Sequence, residues 1–220
     1  ELGGGGEAGA VGSPKPRRDR KVRICTDTRA IAKGDVFWVL KGERFDGHDF
    51  VEQAFEKGGA AAVVEKKWLT DDFRPARVYL PVEDVGQAFL KVASRHALRH
   101  RIPRVAVAGS NGKTTTKEMV ARVLGAKGPV LKTEGNFNNH VGVPMTLLRI
   151  GSEHKTAVIE LGTSSPGELA PLSRAVAPSI AVLTNIGHEH MEFFKTLEAV
   201  RDEELTVSAG LRKGGTLVLN

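Results

Sequence analysis

The residues best suited to chemistry run from Arg104 to Lys117, Arg-Val-Ala-Val-Ala-Gly-Ser-Asn-Gly-Lys-Thr-Thr-Thr-Lys. Val105 to Ala108 is a short run of β-branched and small apolar residues that reads as a buried strand, broken at Gly109 and Gly112 before helix-compatible residues resume at Lys113. Strand, glycine loop and helix in that order form a phosphate cradle. Glycines admit backbone N–H groups to a polyphosphate, and the helix N-terminus contributes its positive dipole end. Lys113 is expected against the terminal phosphates and the Thr114 hydroxyl on Mg²⁺. The spacing departs from the common form, which would place its first glycine at Val107; here it is Gly-x-x-Gly-Lys-Thr. A plain Gly/Asn turn with a chance lysine is the competing account.

The elements that must position this loop alternate between strand and helix patterns, which implies an α/β fold with a mostly parallel sheet and its site at the strands' carboxyl ends. Val22 and Ile24 alternate with charged residues as in a half-buried strand, Val36 to Leu40 is a second strand, Ala60 to Val64 a third and Arg77 to Leu80 a fourth. Between them, Asp49 is a candidate cap for a helix over Phe50 to Lys57 that Gly58-Gly59 stops. Val85, Phe89, Val92 and Ala93 recur at helical spacing within Val82 to Arg99, and Pro103 marks a domain boundary near residue 101. Beyond the glycine loop, Met119, Val120 and Val123 are expected on the apolar side of its helix, and Gly135 to Pro144 is too rich in Asn and Gly for a regular element. Thr156 to Glu160 and Ile180 to Leu183 are further buried strands. Glu160, closing its strand on the same side as the glycine loop, is either a metal ligand or a solvated strand end. Ser165-Pro-Gly-Glu168 reads as a capping box, and His188 and His190 as metal ligands or loop residues.

Composition narrows the function classes. The 220 residues carry a net charge of +6 and one cysteine, Cys25, which excludes an internal disulfide and fits a reducing, cytoplasmic setting. No apolar run approaches a membrane span. Residues 1 to 20, with four consecutive glycines, are expected to be a disordered basic tail; its cations lack interleaved aromatic residues and do not read as a nucleic-acid grip.

Taken together, Gly109 to Thr116, Gly135-Asn-Phe-Asn-Asn-His-Val-Gly-Val-Pro144, Val158-Ile-Glu160 and Thr184-Asn-Ile-Gly187 with His190 resemble the ATP-dependent Mur ligases of peptidoglycan synthesis. Within that family, Gly135-Asn-Phe-Asn-Asn139 with Gly142-Val-Pro144, and Gly42-Glu-Arg-Phe-Asp-Gly-His-Asp49, resemble the branch that adds D-alanyl-D-alanine. The resemblance covers about residues 22 to 220 and implies a small N-terminal α/β domain for the UDP substrate (21–101), then a partial P-loop ATPase domain with a mostly parallel sheet (102–220). It also implies the cofactors ATP and Mg²⁺, and the substrates UDP-N-acetylmuramoyl-tripeptide and D-alanyl-D-alanine, joined through an acyl phosphate by a monomeric cytoplasmic enzyme.

Residue by residue, the resemblance places Gly109, Ser110, Asn111, Gly112, Lys113, Thr114, Thr115 and Asn185 at ATP, and Lys113, Glu160 and His190 at the chemistry. Thr114 and Glu160 would hold one Mg²⁺, and His190 would help hold a second. Thr26, Asp27, Thr28 and Arg29 would hold the UDP end, with Asn138 and Asn139 reaching over from the ATPase domain. Relatives carry a lysine, carbamylated in several, where this sequence has Glu204; both end in an anionic oxygen pair, so Glu204 is a candidate metal ligand. The chain ends at Asn220, where relatives continue into a third domain that closes over ATP, so these 220 residues are expected not to ligate alone. A non-catalytic nucleotide- or UDP-sugar-binding module and a Mur-type ligase for another amino acid are the alternatives.

Overall fold

A computed structural model describes residues 22–42, 45–69 and 76–220. The expected disordered tail, and Glu43 and Arg44 of the Gly42–Asp49 block, lie outside the described residues.

The first layer is a parallel sheet of β1 (Ile24–Cys25), β2 (Val36–Trp38), β5 (Ala61–Glu65) and β6 (Tyr79–Val82), in that order across the sheet. A small antiparallel pair, β3 (Lys41–Gly42) and β4 (Phe45–Asp46), and α1 (Val51–Glu56) intervene. Every residue of β5 is buried, as expected of a parallel strand covered on both faces. The fourth strand falls later than its apolar pattern indicates and contains Pro81; β6 lies at the sheet edge, where proline's missing N–H costs no ladder bond. Asp46, not Asp49, supplies the cap before α1: its carboxylate accepts the His48 N–H at 3.0 Å, and the chain makes a 3-10 turn over Gly47–Phe50 first. His48 is buried; its Nε2 accepts the Glu65 N–H at 3.1 Å, so Nδ1 carries the proton and donates to Asp46.

Helix α2 (Val85–Arg99), capped by Asp84, belongs to two cores. Phe89 packs with Trp38, Leu40 and Val63 of the first sheet, whereas Ala93 and Ala97 pack in the core of the second layer. The Trp38 indole N–H donates to the Val85 carbonyl at 2.9 Å, and His96 Nε2 lies 2.8 Å from the Ile150 carbonyl. Val92 turns toward solvent instead of joining either core.

The second layer is a five-stranded parallel sheet. Its strands are β7 (Arg104–Ala108), β8 (Val130–Lys132), β9 (Thr156–Glu160), β10 (Ile180–Leu183) and β11 (Thr216–Leu219), ordered β11-β10-β7-β9-β8. Its helices are α3 (Lys113–Gly125), α4 (Gly142–Leu148), α5 (Leu169–Val176), α6 (Met191–Phe194) and α7 (Leu197–Leu205). The register pairs Val107 with Glu160 and Ala108 with Leu183, so the ends of β7, β9 and β10 open onto one edge.

Two expectations are corrected here. On α3, Met119 and Val123 are exposed, and the sheet-facing side is made by Lys117, Val120, Ala121 and Leu124. Helix α4 starts inside the Asn/Gly-rich stretch: Asn139 Oδ1 accepts the Val141 and Gly142 N–H groups at 3.1 and 3.0 Å, and Pro144 falls in the first turn, where no intrahelical N–H is needed. Among the described residues, no helix is long and apolar enough to cross a membrane.

Candidate nucleotide and metal site

The loop after β7 is built for close approach. Gly109 has φ 120°, and a Cβ there would lie 2.3 Å from Thr184 Oγ1 and 2.9 Å from the Asn185 carbonyl. Gly112 has φ 79° and stands at the N-cap of α3 without a side chain to occupy the first-turn N–H groups, which leaves those donors for a ligand. The segment after β10 braces the loop. Ser110 N–H donates to the Asn185 carbonyl at 3.1 Å, Asn111 N–H to Asn185 Oδ1 at 2.8 Å, and Gly187 N–H to Ser110 Oγ at 2.9 Å. Thr184 Oγ1 adds a 2.5 Å bond to the Asn111 carbonyl. Asn185 therefore holds the loop's shape through its own side chain. Thr115 is exposed on the first turn of α3.

Lys113 folds back over this loop, its Nζ donating to the carbonyls of Gly109 at 2.6 Å and Ser110 at 3.3 Å. It also lies 3.8 Å from Glu189 Oε2. Glu189 was not picked out from the sequence, where one glutamate between two histidines carries no distinguishing pattern.

Thr114 Oγ1 donates to Glu160 Oε2 at 3.0 Å, and Asn138 Nδ2 to Glu160 Oε1 at 2.9 Å. The Glu160 N–H is held by Thr133 Oγ1 at 2.9 Å, and Lys117 Nζ lies 3.6 Å from Glu160 Oε2. Glu160 is a buried carboxylate converging with a hydroxyl at the mouth of the glycine loop, not a solvated strand end. A hydroxyl and a carboxylate oxygen beside phosphate-directed N–H groups suit a hard divalent cation, so the donor set fits Mg²⁺. Lys117 also escaped sequence reading; its signal was a second lysine four residues after Lys113 on one helix.

Among the described residues, no three His, Cys, Asp or Glu side chains are grouped to hold one metal ion. His190 is exposed with φ 47° at the start of α6, and His188 is exposed too. Glu204 is 1% exposed and interacts with Glu189. Burial first, then the Glu189 charge, pushes its carboxyl up to about 8, while Lys113 and the Gly109 backbone pull the other way. Glu204 Oε2 and Glu189 Oε1 are buried without hydrogen-bond partners.

On the first layer, Thr26, Asp27, Thr28 and Arg29 line one groove of about 540 Å³ together with Phe50 and Gln53. Asp27 clamps Arg29 through its N–H at 2.9 Å, Nε at 3.0 Å and Nη2 at 2.7 Å, and the Arg29 guanidinium holds the Asp27 carboxyl down at about 2. Asn138 and Asn139 do not line this groove. Asn138 is drawn to Glu160 and Asn139 to the start of α4, because a buried carboxylate and open helix N–H groups lie nearer. From the same loop, Glu134 and Phe137 line a separate cleft of about 570 Å³ with Thr26. The Ser165–Glu168 turn keeps half of a capping box: Glu168 Oε2 accepts the Ser164 and Ser165 N–H groups at 2.7 and 3.2 Å, and Glu203 caps α5 through Gly167 and Leu169 N–H.

The sequence pattern of the Mur ligase middle domain matches residues 107–220, and that of the Mur ligase family catalytic domain matches residues 22–127. The chain is 40% identical over 210 residues to the UDP-N-acetylmuramoyl-tripeptide–D-alanyl-D-alanine ligase of Bacillus subtilis, covering 96% of this chain and 46% of that protein. A crystal structure of MurF from Acinetobacter baumannii superposes with a TM-score of 0.84 at 36% identity, over 90% of this chain and 43% of that one. The MurF ligase of Thermotoga maritima in complex with ADP superposes with a TM-score of 0.81 at 33% identity, covering 90% and 45%. The chain thus spans less than half the length of these relatives.

Proposed function

Because this chain belongs to the Mur ligase family, we propose that it contributes the nucleotide and UDP-substrate sites of an ATP-dependent carboxylate–amine ligase that adds D-alanyl-D-alanine to UDP-N-acetylmuramoyl-tripeptide. The observation that carries this reading is the 3.0 Å approach of Thr114 Oγ1 to Glu160 Oε2 beside the open N-terminus of α3. Mg²⁺ bound there supplies charge neutralisation on the transferring phosphoryl group. First-turn N–H groups of α3 and Lys113 orient the polyphosphate, and Lys113 must leave the Gly109 and Ser110 carbonyls to reach it. The γ-phosphoryl passes to the tripeptide carboxylate and ADP departs. The D-alanyl-D-alanine amine then attacks the acyl carbon, the amide bond forms, the amine loses a proton and inorganic phosphate leaves. The groove at Thr26–Arg29 is proposed for the UDP end, where a guanidinium suits a diphosphate.

In this reading residues 21–101 form the UDP-substrate domain and 102–220 the ATP domain of a cytoplasmic enzyme. His190 and Thr115, both exposed, are proposed to meet the nucleotide–metal complex from outside. Titration calorimetry of the 220-residue chain with ATP, with and without Mg²⁺, tests the proposal. Mg²⁺-dependent binding that is lost in Glu160→Gln is expected. Equal binding with and without Mg²⁺ would remove Thr114 and Glu160 from the nucleotide site.

A further inference from the structure

We infer that Lys117 is a positioning residue that sets the charge Glu160 presents to an incoming cation. The inference rests on the phosphoryl-transfer reading above. Lys117 is 1% exposed on the inner side of α3, one turn beyond Lys113. Its Nζ donates to the Thr133 carbonyl at 2.9 Å and lies 3.2 Å from Glu118 Oε1 and 3.6 Å from Glu160 Oε2. A buried ammonium requires anionic partners, and it has these two.

Two effects compete at Glu160. The ammonium could orient the carboxylate and so strengthen cation binding, or its charge could oppose the cation. Orientation is already secured without it. Asn138 Nδ2 fixes Oε1 at 2.9 Å, Thr114 Oγ1 fixes Oε2 at 3.0 Å, and Thr133 Oγ1 fixes the Glu160 backbone at 2.9 Å. What Lys117 adds is charge, at a buried position where screening by water is weak. It compensates Glu160 when no cation is present and lowers the affinity for a free divalent ion. The cation is then retained together with the anionic nucleotide rather than ahead of it.

The test is Mn²⁺ binding to the nucleotide-free 220-residue chain, read from the electron paramagnetic resonance signal of free Mn²⁺. Lys117→Met is expected to bind Mn²⁺ about tenfold more tightly than wild type, and Lys117→Arg, which keeps the charge, to bind as wild type does. Unchanged or weaker binding by a Met variant with wild-type circular dichroism overturns the inference. Should the Met variant fail to fold, Glu118→Gln carries the test from an exposed position. Among the described residues it leaves Glu160 as the one carboxylate paired with the ammonium, so Mn²⁺ binding about threefold weaker is expected, and unchanged binding overturns the inference. Wild type that binds no Mn²⁺ with or without ATP overturns the phosphoryl-transfer reading and this inference with it. Wild type and Lys117→Met binding Mn²⁺ alike overturn only the role of Lys117.

Discussion

Thr114 and Glu160 are 46 residues apart in the chain, yet Thr114 Oγ1 lies 3.0 Å from Glu160 Oε2 because β7 and β9 are paired neighbours ending at the same edge. Removing either oxygen is expected to reduce ATP affinity in Mg²⁺ about ten- to a hundredfold and to leave the weaker Mg²⁺-free binding nearly unchanged. Calorimetry on Thr114→Ala and Glu160→Gln, each with and without Mg²⁺, reads both quantities.

Gly109→Ala should damage the fold as well as the site. The new Cβ meets Thr184 Oγ1 at 2.3 Å, and φ 120° is strained for any L side chain. Destabilisation of about 2–3 kcal/mol in urea unfolding is expected, with loss of protection by Mg-ATP against melting. A variant as stable as wild type would mean that the braced loop adjusts freely.

Glu204 predicts a pH dependence with a definite sign. Its carboxyl rises from an ordinary 4.5 to about 8 on folding, so the folded chain holds a proton that the unfolded chain releases. That contribution to stability is complete below about 4.5 and is lost as pH rises toward about 8, with a slope of at most about 1.4 kcal/mol per pH unit. Asp27, held at about 2 by Arg29, titrates below this window and does not mask the slope. Urea unfolding of Glu204→Gln between pH 5 and 8 should lack this fall; a parallel decline in both proteins would place its source elsewhere.

Arg104 is fully buried and donates to the carbonyls of Val176 at 2.6 Å, Ala97 at 3.0 Å and His100 at 3.3 Å, at the C-terminal ends of α5 and α2. A cation there satisfies orphan carbonyls and opposes two helix dipoles. Arg104→Met should cost about 2–4 kcal/mol in urea unfolding, because the Val176 and His100 carbonyls are left short of donors while the Ala97 carbonyl keeps the His100 N–H at 3.1 Å. A cost below about 0.5 kcal/mol would show that water takes over the guanidinium's role.

The glycine loop and the buried strands were legible because each announces itself locally, through apolar runs bounded by glycine, whereas Thr26 to Arg29 was marked only by the family resemblance. What escaped depends on the far side of a contact. Lys117 looks solvated until Thr133 and Glu160 arrive from β8 and β9, and Met119 looks like core until the sheet takes the other side of α3. Asn138 and Asn139 read as one substrate-facing pair, but a buried carboxylate and an open helix end divide them. Glu189 and Glu204 meet only once α7 packs beneath the glycine loop, and no local pattern encodes two carboxyls sharing that space.

Helix α2 gives Phe89 to one core and Ala93 and Ala97 to the other. It acts as a strut: swinging the Thr26–Arg29 groove away from the glycine loop would strip apolar area from one of its faces, at about 25 cal/mol for each Å² uncovered. The span between the groove and the glycine loop is therefore set when the chain folds, and any ligand that reaches both would have to match it on arrival.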